Sequence, residues 1–528
     1  MDLMWEERSR FATTYSFTTE VQETMMPQQL IAAKSQELHQ IVDQIVAIVS
    51  AAVAEQTPIH EVESKTFETF LHGGRIVLQL LVDCLGDGDM GAEHQLPDGT
   101  TLQRSAQPQP RPYLSIFGEL KIQQYVYAER EGQQIKFAAI AARLALPESK
   151  FSYLLQDWDQ EFAMEAPFGK VARTVQRILK LDQYVNNLER MNREMAQTVE
   201  AFQASQAVPP AKEEGEIFVE TADGKGVPIR RPADAPPIVD HQHRSGPKPG
   251  RKRMATLGAV YSIDRLVRTP EEVLESLFRD PRQPRPKTAR PHPRHKRMRA
   301  MLDHLDGHGD EVGGRAAVFG WISDEMAARH AHSSKPIVCI MDGEESLWNT
   351  RDVLQEDLPM TDVLDLLHVT PRLWNAAFLF HPRKGARAEK FVRERLLRIL
   401  RGEVAAVVRG LRRMGTSTLG AEKRRKLRTI CKYLEKNRHR MRYHEYLTLG
   451  YPIASGVIEG ACRNVVKDRL ERTGMNWTIP GTQAMLDLRC IYLTEQWEEF
   501  TDFRIARETQ RLYPYRDTLQ TLSWDVAA

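Results

Sequence analysis

Two apolar runs that lead into an Asp-Gly pair set the tightest limit on how this chain can fold. Ile217 to Val219 leads into Asp223-Gly224, and Pro336 to Met341 leads directly into Asp342-Gly343. Short apolar runs that end in turn residues read as buried strands. Two more β-type runs follow the same pattern, ATLGAVYSIDRLV (255–267) and TDVLDLLHV (361–369), the second ending near Asp365 and His368. Helical sequence lies between them, including GGRAAVFGWISDEMAARHA (313–331). Strands alternating with helices predict an α/β sheet. A carboxylate at a strand end of such a sheet points into the crevice where ligands bind. Either Asp-Gly alone is an ordinary turn; a pair of them in one domain is more specific.

A third acid belongs with the first two. The stretch Tyr451 to Trp477 opens on Pro452 and Ser455, a helix start at which Ser455 can cap the first free N–H groups. Helical spacing then puts Glu459, Arg463 and Lys467 one turn apart on one face, with Val457, Ile458, Val465, Val466 and Leu470 on the others. Three carboxylates without a His or Cys ligand set favour hard divalent cations, Mg²⁺ or Mn²⁺. Two such ions about 3.5–4 Å apart activate an attacking oxygen and stabilise a leaving one, the chemistry of phosphodiester cleavage and strand transfer. Asp223, Asp342 and Glu459 are the candidate catalytic and metal-holding residues. Asp365 and His368 form a further local pair, either supporting the site or supplying a ligand in place of Asp342.

Charge distribution points to the substrate. The net charge is only +2, but residues 383–442 hold 21 Lys and Arg against five Asp and Glu, a local +16 that leaves −14 for the rest. A second block, residues 281–300, holds eight Lys and Arg and no acid. Cation at this density implies a polyanion, and nucleic acid is the expected one. Arg294, Lys296 and Arg297 in the second block, and Lys423, Arg424 and Arg425 in the first, are candidate phosphate contacts. So are Arg463, Lys467, Arg469 and Arg472 around the third acid. The five cysteines are far apart and form no CxxC pair, which excludes a zinc ribbon or a disulfide framework and fits a reducing cytoplasm. No apolar run approaches the ~20 residues of a membrane span, so no membrane partner is expected.

At 528 residues several domains are expected. Residues 1–94 read as a helical region, including Leu30 to Glu55 and a second helix from about Ser64 to Leu81. Residues 95–137 read as two or three short strands with turns at LPDGTT, Gly118 and Gly132. Residues 138–204 return to helix. Within them Ala166 to Phe202 reads as helix, turn, helix, with Val171, Val175, Ile178 and Leu179 as its apolar stripe. Its second helix presents Gln183, Asn186, Asn187, Arg190 and Arg193, side chains able to read bases or hold phosphates. Residues 205–216 are a linker by composition. The α/β core spans 217–380 and 449–528, interrupted by a basic all-helical insertion at 381–448.

These residues resemble a family. YPIASGVIEGACRNVVKDRLERTGMNWT, followed by GTQAMLDLRCIYL, is similar to the C-terminal signature of bacterial insertion-sequence transposases of the ISKra group, in the DDE superfamily. ALPESKFSYLLQDW with PFGKVARTVQRIL, RPHPRHKRM, and DLLHVTPRLWNAA resemble the same group. The likeness runs from about residue 70 to residue 500. It implies an RNase H-like core with Asp223, Asp342 and Glu459 as first, second and third acids, and a helical insertion before the third. Asp365 and His368 match a Cys-or-Asp, two residues, His motif of related superfamilies. The implied activity is transposition: binding the terminal inverted repeats, then cutting and joining double-stranded DNA with two Mg²⁺, as a homo-oligomer of at least two copies. A nuclease without strand transfer, or a catalytically inactive DNA-binding relative, would look the same at this level.

Overall fold

The computed structural model describes residues 27–230, 252–279, 290–305, 311–356, 358–383, 385–472 and 475–516. They divide into two compact units, one built from residues up to 155 together with those from 508 on, the other from residues 156–507.

The first unit opens with a helical hairpin, α1 (Pro27–Glu55) and α2 (Ile59–Cys84). Ile41 of α1 is buried beside Gly73 of α2, where a Cβ would come within 3.3 Å of the Ile41 side chain. Five short strands follow: β1 (Glu93–Gln95), β2 (Thr101–Arg104), β3 (Gln109–Ser115), β4 (Gly118–Gln124) and β5 (Tyr127–Ala128). They form two small sheets, β1-β2-β5 and the hairpin β3-β4. The turn at Pro97-Asp98-Gly99 joins β1 to β2, with Gly99 in the left-handed region (φ 88°) that a side chain disfavours. A short helix, α3 (Ala139–Arg143), completes the unit's core with Ile122, Val126 and Leu146. One described helix, over Lys34–Glu55 of α1, is long and apolar enough to cross a membrane by length and mean hydropathy (1.3), which the sequence reading did not anticipate.

The second unit begins within α4 (Tyr153–Glu165) and continues through α5 (Phe168–Leu179), α6 (Val185–Ala196) and α7 (Val199–Ser205). Its centre is a five-stranded sheet of β6 (Ile217–Pro228), β7 (Lys252–Ile263), β8 (Arg294–Leu302), β11 (Ile337–Met341) and β12 (Met360–Leu364). Helix α8 (Pro270–Leu277) precedes β8, a small ribbon of β9 (His304–Leu305) and β10 (Glu311–Val312) follows it, and α9 (Gly314–His330) leads to β11. The strand order is β12-β11-β6-β7-β8; β6, β7 and β8 run antiparallel, whereas β11 and β12 run parallel to β6.

Both faces of the sheet are covered, so its central strands are apolar without alternation. Phe218, Ile337, Cys339 and Met341 pack on one face against α9 and α10 (Glu345–Leu354). Ile217, Val219, Val338 and Ile340 pack on the other against α11 (Leu366–Phe380) and the helical insertion. That insertion is α12 (Ala386–Leu400), α13 (Val404–Thr418), α14 (Ala421–Lys436) and α15 (Tyr443–Thr448). The chain closes with α16 (Gly456–Ala461), a π-helical turn at Cys462–Lys467, α17 (Asp468–Leu470), α18 (Ile479–Leu493) and α19 (Trp497–Leu512).

Three regions take on detail that the sequence did not give. The end of the basic block at 281–300 forms β8, where Met298, Ala300 and Leu302 are buried and alternate with half-buried Arg297, Arg299 and Met301. The expected linker ends in an anchor: Glu214 is buried, accepts from Arg329 (2.7 Å to each oxygen) and from Ser262 Oγ (2.5 Å), and so ties the entry of β6 to α9 and β7. The helix–turn–helix segment is no separate module either. Helices α5 and α6 belong to the second unit, and α6 packs on α18.

Candidate active site

Strand register brings the acids together. Met341 pairs with Ala222 of β6 and with Leu364 of β12 in the parallel ladders, so the next residues along, Asp223, Asp342 and Asp365, form one row across three strands. Side chains alternate along a strand, and Asp223 and Asp342 follow Ile217/Val219 and Val338/Ile340 onto the face covered by α11 and the insertion. Asp223 departs from expectation in one respect. It lies inside a strand that continues to Pro228, not at its end, because β7 pairs with β6 along its full length.

The two half-buried carboxylates act on each other. Asp342 accepts from the Glu344 N–H (2.8 Å), and Asp223 accepts from the Gly224 N–H (2.7 Å). Burial pushes the Asp342 carboxyl up; the Glu344 N–H and the charge of His368 oppose this, and the negative charge of Asp223 adds to it. Crowded carboxylates of this kind suit an added cation, which removes their repulsion. As an all-oxygen pair they fit Mg²⁺ or Mn²⁺. Among the described side chains, no cluster of three His, Cys, Asp or Glu is within metal-holding range.

The third acid, Glu459, is on α16, which packs across β6 and β7. Its side chain lies outside the described residues. The helix it rides on does not keep the i, i+4 face expected from the sequence. From Cys462 to Lys467 the turn widens to π-helical, so Arg463 and Lys467, four residues apart, do not stack on one line. Arg463 instead reaches Asp468, five residues on (3.7 Å). A buried arginine from α18 holds this wide turn open: Arg489 donates to the carbonyls of Val465 (3.0 Å), Asn464 and Met164.

Asp365 is fully engaged elsewhere. It is 1% exposed, caps α11 by accepting from the Leu367 N–H (2.8 Å), and accepts from both Ser455 N–H (3.2 Å) and Ser455 Oγ (2.5 Å). Leu366 N–H also donates to the Ile453 carbonyl (3.0 Å). Asp365 therefore fastens the chain just before α16 to the start of α11, and the Ser455 hydroxyl, expected to cap its own helix, points to Asp365. The charge of His368, one turn into α11, acts on Asp342.

Sequence reasoning missed two neighbours supplied by the insertion and α11. The ring of Tyr433 on α14 lies against Gly343, where a Cβ would fall 2.4 Å from a ring carbon. The Arg372 guanidinium sits over that ring at 4.5 Å. Burial pushes the Tyr433 phenol up to about 12, and the charge of Asp342 acts in the same direction. Gly343 is thus required by a close approach from 90 residues away, a demand that a local turn signal conceals.

The expected DNA contacts fall into three groups. Lys423, Arg424 and Arg425 on α14, and Arg463, Lys467 and Arg472 beside α16, are exposed. Arg190 and Arg294 are exposed but reach Glu194 (3.6 Å) and Asp264 (2.5 Å); Arg193 is half-buried. Lys296 donates to the Leu493 carbonyl (3.1 Å), and Arg297 pairs with Glu325 (2.9 Å to each oxygen). Arg469 must be withdrawn as a phosphate contact: it is 1% exposed, donates to the Ala163 carbonyl (2.7 Å) and lies over the rings of Phe168 and Trp477. Burial, with Arg489 nearby, pushes its guanidinium down to about 9. Gln183 is likewise buried, donating to Asp159 (2.7 Å), so it reads no base. No protein-family model matches the chain, and no curated protein is detectably similar to it.

Proposed function

We propose that this chain is a DNA transposase of the type its sequence resembles, cutting and joining DNA ends in an RNase H-like core. The observation that carries the reading is the row of acids: Asp223 and Asp342 set side by side on adjacent parallel strands, with the helix that bears Glu459 packed across β6 and β7. A sheet of three antiparallel strands followed by two parallel ones supports the RNase H-like reading. So does a helical insertion between the fifth strand and the helix of the third acid.

In this reading Asp223, Asp342 and Glu459 hold two Mg²⁺ or Mn²⁺ ions, which supply Lewis acidity to the attacking and leaving oxygens. The chain's own residues do the rest. His368 and the Glu344 N–H counter the negative charge at Asp342. The Asp365–Ser455 contacts hold the approach to α16 against the sheet. Exposed cations of α14 and of the 463–472 segment hold the phosphate backbone.

An assay with a labelled element end and a target plasmid tests this. Wild type should give joined products, and Asp223→Ala, Asp342→Ala and Glu459→Ala should each lose them, by at least a thousandfold, while retaining end binding. Hydrolysis without joined products would make the protein a nuclease. Full activity in any one variant would remove that residue from the site.

A further inference from the structure

We propose that the α1–α2 hairpin is a self-association element, its open face docking on the same face of a second copy of this chain. Helix α1 carries two apolar stripes. One, Leu38, Ile41, Ile45 and Ile48, is the covered one beside α2. The other, Val42, Val46, Val49 and Val53, is 51–78% exposed. Helix α2 repeats the pattern, with Phe67, Phe70, Val77 and Leu81 at 44–59% exposure.

The open stripe of α1 has the spacing of a helix bundle seam, steps of four, three and four that need a facing helix of like pitch; that of α2 steps three, seven and four, its gap falling at Gly74, which lies against Phe117. Each open stripe on α1 lies one residue on from the covered one, about 100° round the helix. On α2 the open residues lie about 40–100° round in the same sense from Val62, Thr66 and Gly73, which are on its covered side. Because the helices run in opposite directions, offsets of the same sense turn both stripes to the same side of the hairpin. Eight apolar side chains on one face are a patch, not the scatter of a solvated surface.

Charge and size select the occupant. Residues 27–84 carry three Lys and Arg against seven Asp and Glu, a net of −4, so the face suits neither nucleic acid nor an anionic membrane. Helix α1 has 29 residues. Its length of about 40 Å and the hairpin's width of about 20 Å give a face of about 800 Å², the share each partner contributes to a stable interface. A two-fold pairing of hairpins fills both stripes at once with identical pitch and no new partner.

Light scattering on the full-length chain, without DNA or metal, tests this. Wild type should give about 121 kDa, twice the 60.5 kDa of one chain. Val46→Glu combined with Val49→Glu should halve that mass with an unchanged helical circular dichroism. Val46→Cys should form an intermolecular cross-link on oxidation that the same change at exposed Gln44, on the opposite side of α1, does not. A monomeric wild type, or a dimer that survives the double substitution, would overturn the proposal. So would sedimentation of wild type with phosphatidylcholine vesicles that the double variant loses, which would assign the face to lipid. None of these readings depends on DNA cleavage, so failure here leaves the proposed activity untouched.

Discussion

Asp365 sits in line with the two candidate metal-holding acids yet does different work. Both of its oxygens are committed, one to the Leu367 N–H and one to Ser455. Asp365→Ala removes a helix cap, about 1 kcal/mol, and leaves the buried Ser455 donors without an acceptor, about 1–3 kcal/mol more. The expected result is a stability loss of roughly 2–4 kcal/mol by urea unfolding, with Asp365→Asn losing about half. An Ala variant that unfolds like wild type but no longer cleaves DNA would return Asp365 to the reaction itself. A second acid carries a pH dependence. Burial pushes the Asp159 carboxyl up to about 7, and its Oδ1 has no hydrogen-bond partner. An acid whose folded pKa exceeds its unfolded one keeps its proton longer when folded, so its contribution to stability falls as pH rises from about 4 to about 7. Asp159→Asn should therefore melt higher than wild type at pH 8, by about 5 °C, and alike at pH 4. Equal melting at both would show that the carboxyl ionises without cost.

Between elements, the tightest joint is where α14 meets the end of β11. Gly343→Ala would drive a Cβ into the Tyr433 ring. Overpacking of this kind costs about 1–3 kcal/mol, and in a Tyr433→Ala background the same change should cost little. Additive losses in the double variant would mean that the two residues do not share a joint. This joint also marks where sequence reading stops. The strands themselves were legible, since PIVCIM runs without a polar break into Asp-Gly and IFV starts a β-type run that reaches Asp223, although that strand continues to Pro228. The pairing of Met341 with Ala222 was not, because register depends on which strands become neighbours. The helix–turn–helix pattern was legible as α5 and α6, but its polar residues misled. Gln183 turns inward to Asp159, so it joins helices and does not face a base, whereas Asn186 and Arg190 stay exposed. Arg489 was equally hidden: a lone arginine within MLDLRCIYL hints at burial, but nothing local says that it braces a turn some 25 residues earlier.

At the scale of the whole chain, cation count and cation availability differ. Several of the 21 cations in the insertion are engaged: Arg398 reaches Glu403 (2.7 Å), Arg412 reaches Glu435 (2.5 Å), and Arg401 reaches Glu271 outside the insertion (2.5 Å). Exposed pairs of this sort add little stability, but they shrink the cationic surface to stretches such as Lys423 to Arg425. If those contact phosphates, Arg424→Ala with Arg425→Ala should weaken binding to any DNA sequence and lower the slope of log K against log salt by about 2. Arg469→Met should leave that slope alone and lower stability. The reverse outcome would place the guanidinium of Arg469 at the DNA. The wide turn at Cys462–Lys467 has a last consequence. A π-helical turn amounts to an ordinary helix with one residue added. Removing a single residue there would let the helix close up, and everything before it would swing by about 100° relative to the anchored Arg469. The direction in which Glu459 leaves the backbone is therefore fixed by the length of this segment as much as by its side chains. A deletion of Asn464 would misaim the third acid while every expected site residue remained in the chain.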